Sequence, residues 1–116
     1  MEEVHIRSWD GGVTVELPTH IEGYDSADIR KLLFERISSD RIKSVIFDFS
    51  NVRRIDSMGI GLFLNLQYSL AELTRFRFCN MADNIRELFA MMKLVGHFEI
   101  DATEQQSRAK LLAGVV

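Results

Sequence analysis

The chain has 116 residues, of which 47% are hydrophobic, and a single proline, so we expect one compact domain with an apolar core. Its formal charge of −3 arises from scattered residues of both signs without a basic stripe, which excludes nucleic acid as an expected partner. One cysteine cannot form an internal disulfide, the first residues are acidic rather than signal-like, and no apolar run reaches the ~18 residues of a membrane span. These features predict a cytoplasmic protein without membrane insertion.

A β-hairpin followed by a helix is predicted for the N-terminal third. Residues 4–7 and 13–17 have short β-like patterns, and the glycines between them suit a tight turn. From Ser26 onward, apolar residues recur every three to four positions, which indicates an amphipathic helix. Asp25 or Ser26 is its expected N-cap.

A strand, a helix and a second strand are predicted between residues 44 and 80. Residues 44–49 are apolar at nearly consecutive positions, which is typical of a parallel strand buried on both faces. A helix is expected after the Asp56-Ser57 turn and runs to about Leu73, and residues 76–80 form the next strand. This order is a βαβ unit.

The C-terminal third is predicted to contain a helix, a short strand and a polar last helix. Asp83 begins the first of these helices and Gly96 ends it. Residues 98–100 form the strand, and the last helix covers about 104–112. Whether this last helix docks stays open, because only Leu111 and Leu112 offer an apolar anchor.

The run Asp56-Ser57-Met58-Gly59-Ile60-Gly61 places a hydroxyl between a strand and a helix. Glycines in a first helical turn lower helix propensity, so close packing on the sheet or close approach by a ligand must favour them. Ser57 is either an ordinary N-cap or a modification site. Its sequence context alone does not separate these alternatives.

The motif has a specific counterpart in a known family. The strand Val45-Ile46-Phe47-Asp48-Phe49-Ser50, a short spacer and then Ile55-Asp56-Ser57-Met58-Gly59-Ile60-Gly61 resemble the signature of STAS domains, the fold of bacterial anti-sigma factor antagonists. The resemblance implies an α/β fold with a mixed sheet of four to five strands and helices mainly on one face. It also implies one STAS-like domain over residues 1–116.

The resemblance also implies roles for particular residues. In the family, the serine after the aspartate is phosphorylated by a partner kinase that is also an anti-sigma factor, and a serine phosphatase reverses the modification. Ser57 takes this role by position. The partner-binding surface would comprise Asp56, Ser57, Met58, Gly59, Ile60 and Gly61.

Two positions depart from the family pattern. Met58 stands where antagonists have a small hydroxyl residue, which suggests a changed partner surface. Glu22 stands in place of an aspartate in the turn after the second strand, where the family glycine is also missing, so an inherited nucleotide contact there is in doubt. Glu22 and Asp48 are therefore secondary site candidates.

Other candidate chemistry is weaker. His5, His20 and His97 lack the spacing of metal ligands, so no metal or other cofactor is expected. Cys79 on a predicted strand is expected to be a small buried hydrophobe. Asp48 could suggest a phosphoacceptor aspartate, but the sequence lacks the accompanying acidic pair and lysine.

The Met91-Met92 pair beside Phe89 is expected to belong to the core, because apolar residues recur there at helical spacing. The alternative is an exposed apolar face.

Two main functions stay open, and a third, an enzyme or a direct small-molecule binder, has less support because no nucleophile–base pair or glycine-rich phosphate loop is visible. The first is a regulator that binds a kinase or anti-sigma partner while Ser57 is unmodified and releases it when Ser57 is phosphorylated. The alternative is an accessory subunit of a larger complex, such as a lipid-transport ATPase or a sensory assembly, without such a switch. Homodimerisation is a further possibility.

Overall fold

The computed structural model describes residues 3–114. Its strands are β1 (His5–Trp9), β2 (Gly12–Glu16), β3 (His20–Ile21), β4 (Ser44–Asp48), β5 (Arg54–Ile55), β6 (Arg75–Cys79) and β7 (Ile100–Asp101). Its helices are α1 (Gly23–Ser39), α2 (Ser57–Ser69), α3 (Asp83–Met91) and α4 (Glu104–Leu112), with a 3₁₀ turn at Val95–His97. No helix within these residues is long and apolar enough to cross a membrane.

Five strands form one mixed sheet in the order β1-β2-β4-β6-β7. The β1–β2 hairpin is antiparallel, and every other neighbouring pair in this sheet is parallel. The predicted mixed α/β fold is therefore confirmed. The strands β3 and β5 form a separate two-stranded parallel ladder, which the local sequence patterns do not predict.

The central strand β4 is buried on both faces, as its continuous apolar run predicts. Val45 and Phe47 join the main core, which takes buried residues from α1, α2 and α3. Ile46 points to the opposite face and packs near Cys79 and Leu111 of α4. Three of the four helices thus cover one face of the sheet, and α4 covers the other.

Polar contacts hold α4 on its face of the sheet. The Arg77 guanidinium donates to both carboxylate oxygens of Asp101 at 2.7 and 3.1 Å. Ser107 and Lys110 of α4 each donate to the same carboxylate at 2.6 Å. Leu111 is buried whereas Leu112 is exposed. The last helix therefore docks, mainly through hydrogen bonds that a hydropathy pattern does not reveal.

The beginning of α1 differs from the prediction. The helix starts at Gly23, and Glu22 occupies the N-cap position without a side-chain hydrogen bond, so neither Asp25 nor Ser26 is the cap. Gly23 has a φ of +56°, a conformation that glycine adopts readily. Its N–H donates to Asp56, a residue far along the chain, so a tertiary contact fixes this start.

Other boundaries also differ. The helix α2 ends at Ser69 rather than near Leu73, and α3 ends at Met91. Gly96 lies within the 3₁₀ turn, so it does not end α3. The final strand covers residues 100–101, because the preceding residues enter from that 3₁₀ turn.

The core assignment of the methionine pair was wrong. Phe89 is fully buried, but the side chain of Met91 is 78% exposed and that of Met92 is 44% exposed. Met92 is the C-cap residue, where the helical spacing no longer applies.

Candidate functional site

The small β3–β5 ladder positions the start of α2. It pairs Ile21 with Ile55, and the Asp56 N–H reaches the Ile21 carbonyl at 3.4 Å. The Thr19 carbonyl accepts hydrogen bonds from the N–H groups of residues 53 and 54 at 2.7 and 3.1 Å. The start of α2 is therefore fixed against the segment that leads into α1.

Asp56 joins the starts of two helices. It is the N-cap of α2, and its Oδ1 accepts a hydrogen bond from the Gly59 N–H at 2.9 Å. Its Oδ2 accepts a hydrogen bond from the Gly23 N–H, also at 2.9 Å. Partial burial by itself would raise the pKa of this carboxyl, but the N–H donors prevail and the pKa lies below its ordinary value. Asp56 is therefore ionised at neutral pH and engaged within the fold.

The two glycines of the motif have different environments. A Cβ at Gly59 would lie 2.2 Å from the Ile21 carbonyl oxygen and 2.6 Å from Ile55 Cγ1, so α2 packs directly on the β3–β5 ladder. A Cβ at Gly61 would meet nothing within 4 Å. Close packing, one of the two explanations considered for these glycines, therefore explains Gly59. It does not explain Gly61.

Ser57 is exposed at the first position of α2. Because Asp56 makes the cap hydrogen bond, the ordinary N-cap interpretation of Ser57 is wrong. The hydroxyl lies at the N-terminal end of a 13-residue helix, where the helix dipole and first-turn N–H groups favour an anion. A phosphoryl group here would project away from the core.

Two exposed side chains with large apolar surface belong to the first turns of α1 and α2. Met58 is 50% exposed, and Tyr24, in the first turn of α1, is 88% exposed. Tyr24 directly follows Gly23, whose N–H binds Asp56, and Met58 directly follows Ser57 in the first turn of α2. Sequence reasoning missed Tyr24, because nothing local to residue 24 indicates that the start of α1 is bonded to Asp56.

The six predicted partner-binding residues differ in accessibility. Ser57 and Met58 are exposed, and Asp56 and Gly61 are partly exposed. Gly59 and Ile60 are buried, so these two shape the backbone and present no side chain to a partner.

The secondary candidates make separate contacts. The Arg54 guanidinium donates to Glu22 at 3.2 Å, which places this ion pair beside the start of α1. Asp48 is buried at the end of β4, where its Oδ1 accepts from the Ser50 N–H at 2.9 Å and from the Asn80 amide at 3.1 Å. Glu22 thus lies near Asp56, whereas Asp48 stabilises the turn after its strand.

Residues 3–114 contain no group of three His, Cys, Asp or Glu side chains that could hold a metal ion. Cys79 is fully buried, as predicted for a small hydrophobe. Burial raises the pKa of its thiol to about 12, and the nearby Asp48 carboxylate adds to the shift. The thiol is therefore protonated and inaccessible at neutral pH.

The family model of the STAS domain matches residues 4–107. The chain belongs to the STAS domain family. Comparison with curated proteins gives no match.

Solved STAS structures share the fold at low sequence identity. Unphosphorylated SpoIIAA, an anti-sigma factor antagonist, has a TM-score of 0.78 at 23% identity, covering 98% of this chain and 99% of that protein. Phosphorylated SpoIIAA, a Bacillus cell fate determinant, has a TM-score of 0.71 at 22% identity, with coverages of 94% and 99%. An antagonist from Mycobacterium paratuberculosis has a TM-score of 0.82 at 16% identity, with coverages of 92% and 91%. At these identities the likeness concerns the fold.

Proposed function

We propose that this STAS domain is a regulatory switch of the anti-sigma factor antagonist type, controlled by phosphorylation of Ser57. The unmodified domain binds a kinase or anti-sigma partner in the cytoplasm. The phosphorylated domain releases that partner, and a serine phosphatase removes the phosphate so that binding can occur again. The observation that carries the proposal is the exposed hydroxyl of Ser57, which is relieved of capping by Asp56. The whole chain, residues 1–116, acts as one non-enzymatic domain.

The position of Ser57 supports modification without unfolding. A phosphoryl group adds about −1.5 to −2 charges at pH 7. At a helix N-terminus, a negative charge is stabilised by about 0.3–1 kcal/mol. Asp56 places another negative charge nearby, but its two oxygens are already bound to N–H groups of the fold. The domain therefore tolerates the phosphate.

A docked partner would not tolerate it. Met58, next to the serine in the chain, and Tyr24, at the start of α1, provide exposed apolar surface suited to burial against another protein. Burying a phosphate there without a matching cation costs on the order of several kcal/mol. Because every 1.4 kcal/mol changes affinity about tenfold, one phosphate would lower binding by orders of magnitude.

The structural neighbours agree with this interpretation at the level of the family. SpoIIAA is an anti-sigma factor antagonist, and its structure exists in unphosphorylated and phosphorylated forms. A serine-to-glutamate variant of RsbS from Moorella thermoacetica also shares the fold, with a TM-score of 0.79 at 16% identity.

One observation favours the alternative of an accessory subunit in a larger complex. Met58 is an exposed apolar residue immediately beside the serine, and such a residue also suits a permanent interface. In that case the surface around Ser57 stays bound whatever the growth condition.

A binding experiment with matched variants distinguishes the two functions. Wild type, Ser57→Ala, Ser57→Glu and Ser69→Glu are immobilised and used to capture partners from an extract of the host. Ser69 lies at the opposite end of the same helix and is exposed, so it controls for added charge on α2. The captured protein is then purified and its Kd for each variant is measured by calorimetry.

Wild type, Ser57→Ala and Ser69→Glu should bind the partner with similar affinity. Ser57→Glu should bind about 100-fold more weakly, a difference of about 2.7 kcal/mol. Equal binding by Ser57→Glu would contradict the switch and favour the accessory subunit.

A further inference from the structure

A cavity of about 420 Å³ opens at the outer edge of the sheet, beside the first half of β6. It exists because β7 pairs only with Phe78 and Cys79, which leaves residues 75–77 of β6 without a neighbouring strand on that side within residues 3–114. Side chains from α2, from the turn that follows it, from the 3₁₀ turn and from α4 close the space around this gap. The volume lies within the usual range of small-molecule sites.

The cavity has an apolar part. Leu64 of α2, Ala71 in the following turn, and Leu111 of α4 contribute to its lining. The Gln67 amide donates to the His97 carbonyl at 2.9 Å and ties the wall formed by α2 to the 3₁₀ turn. The wall is thus held in place by the fold, and an apolar body of modest length fits between these side chains.

The cavity also has a polar end that suits an anion. Arg77 lines it, and its side chain is only 4% exposed. Its Nε and Nη2 atoms bind Asp101, but Nη1 is shielded from solvent and has no hydrogen-bond partner within residues 3–114. The positive charge at this end comes from the Arg77 guanidinium together with that of Arg75, which also lines the cavity.

Two neighbouring groups extend this polar end. The Phe78 N–H donates to the Glu99 carbonyl, on the β7 side of β6. Because residues two apart in a strand have the same orientation, the main-chain N–H of Phe76 points to the same side, where β7 is absent. His97 also lines the cavity. One carboxylate, that of Glu99, lies at the mouth, 55% exposed and 3.6 Å from Arg77 Nη2.

We propose that this cavity binds a small free amphiphile with an anionic headgroup, such as an alkyl or aryl carboxylate, the headgroup at Arg77 and the apolar body along Leu64, Ala71 and Leu111. The cavity opens at the start of β6. Ser57 comes after β5, in the segment that leaves the carboxyl end of the neighbouring parallel strand β4, and so lies toward the opposite end of the sheet. The inference therefore goes beyond the proposed switch and does not depend on it.

Titration of the ¹⁵N-labelled full chain with sodium octanoate tests the proposal. Octanoate should shift the amide resonances of Gln67, Tyr68, Phe76 and His97 in a saturable manner. Octyltrimethylammonium, with the same chain length and the opposite charge, should not. Absence of saturable shifts with octanoate, or equal binding of the cation, would overturn the proposal.

Three variants sharpen the test without removing the Arg77–Asp101 pair. Ala71→Phe fills the space from an exposed position and should weaken octanoate binding at least about tenfold. Glu99→Gln removes the competing carboxylate and should tighten binding about threefold. Glu35→Gln, an exposed change on α1 outside the cavity, should leave binding unchanged. Unchanged affinity in Ala71→Phe would contradict the assignment.

Vesicles of phosphatidylglycerol and phosphatidylcholine separate a free amphiphile from a lipid in a bilayer. The protein should not sediment with them. Sedimentation that Ala71→Phe abolishes would overturn the assignment to a free molecule.

Discussion

Replacement of Gly59 by alanine is expected to destabilise the protein, although alanine favours helices. The added Cβ would lie 2.2 Å from the Ile21 carbonyl oxygen, 2.6 Å from Ile55 Cγ1 and 3.1 Å from Ile21 Cγ2. The first contact is with main chain, and that same carbonyl accepts a hydrogen bond from the Asp56 N–H. Relief therefore requires α2 to move away from the β3–β5 ladder.

The magnitude follows from two opposing effects. Overpacking of this kind costs about 1–3 kcal/mol, with larger values where backbone must shift. The gain in helix propensity offsets less than about 1 kcal/mol near a helix end. We expect a net loss of about 2 kcal/mol in the free energy of unfolding, which lowers the Tm by roughly 8 °C for a chain of this size.

Gly61→Ala is the matched control in the same helix. A Cβ there meets nothing within 4 Å, so this variant should be neutral or up to about 1 kcal/mol more stable. Urea unfolding followed by circular dichroism measures both variants. If Gly59→Ala were as stable as Gly61→Ala, the argument for close packing of α2 on the ladder would be refuted.

Three further predictions concern the site and the docking of α4. Asp56→Ala should cost about 2 kcal/mol of unfolding free energy, because both N–H groups that Asp56 binds lose their acceptor, and Asp56→Asn should cost less. Burial opposes ionisation of Asp101, but its bonds to Arg77, Lys110 and Ser107 prevail and hold its pKa well below the ordinary value. The stabilisation that ionised Asp101 provides is therefore fully present above the ordinary carboxyl pKa. It is lost as pH falls toward the lower pKa of this carboxyl in the folded state, so the free energy of unfolding should decline below about pH 5. Asp101→Asn should be less stable at pH 7 and depend less steeply on pH. Met58→Ser should change stability by less than about 0.5 kcal/mol and weaken partner binding about tenfold.

Each of these has a clear contrary result. Equal urea midpoints for Asp56→Ala and wild type would show that the cap contributes nothing. An Asp101→Asn variant with the same steep acid dependence as wild type would assign that dependence to other carboxyls. Unchanged partner affinity in Met58→Ser would remove Met58 from the interface.

The sequence predicted those parts of the fold that local patterns determine. Strand β4 has a continuous apolar run because both faces are buried, and α2 follows a motif specific to the family. The start of α1 escaped prediction, because Gly23 begins that helix through a hydrogen bond to Asp56 rather than through a local cap. The two-residue strands β3 and β5 are too short to show any alternation.

The site could be predicted only in part for a related reason. The motif identified Ser57 and Asp56, but it left open whether Ser57 caps α2, because either side chain is a good N-cap; in the structure the cap is Asp56. The start of α1, which carries Tyr24, is joined to Asp56 through tertiary structure alone. The polar docking of α4 through Asp101 was also invisible, because hydropathy does not indicate which carboxylate will meet which guanidinium.

Mass spectrometry of the protein purified from its own host tests the central claim most directly. Wild type and Ser57→Ala are compared as intact proteins, before and after treatment with a serine phosphatase, across several growth conditions. The account predicts one phosphoryl group on a fraction of wild type, removed by the phosphatase and absent from Ser57→Ala. Wild type without phosphate in every condition, or phosphate retained in Ser57→Ala, would contradict a switch at Ser57.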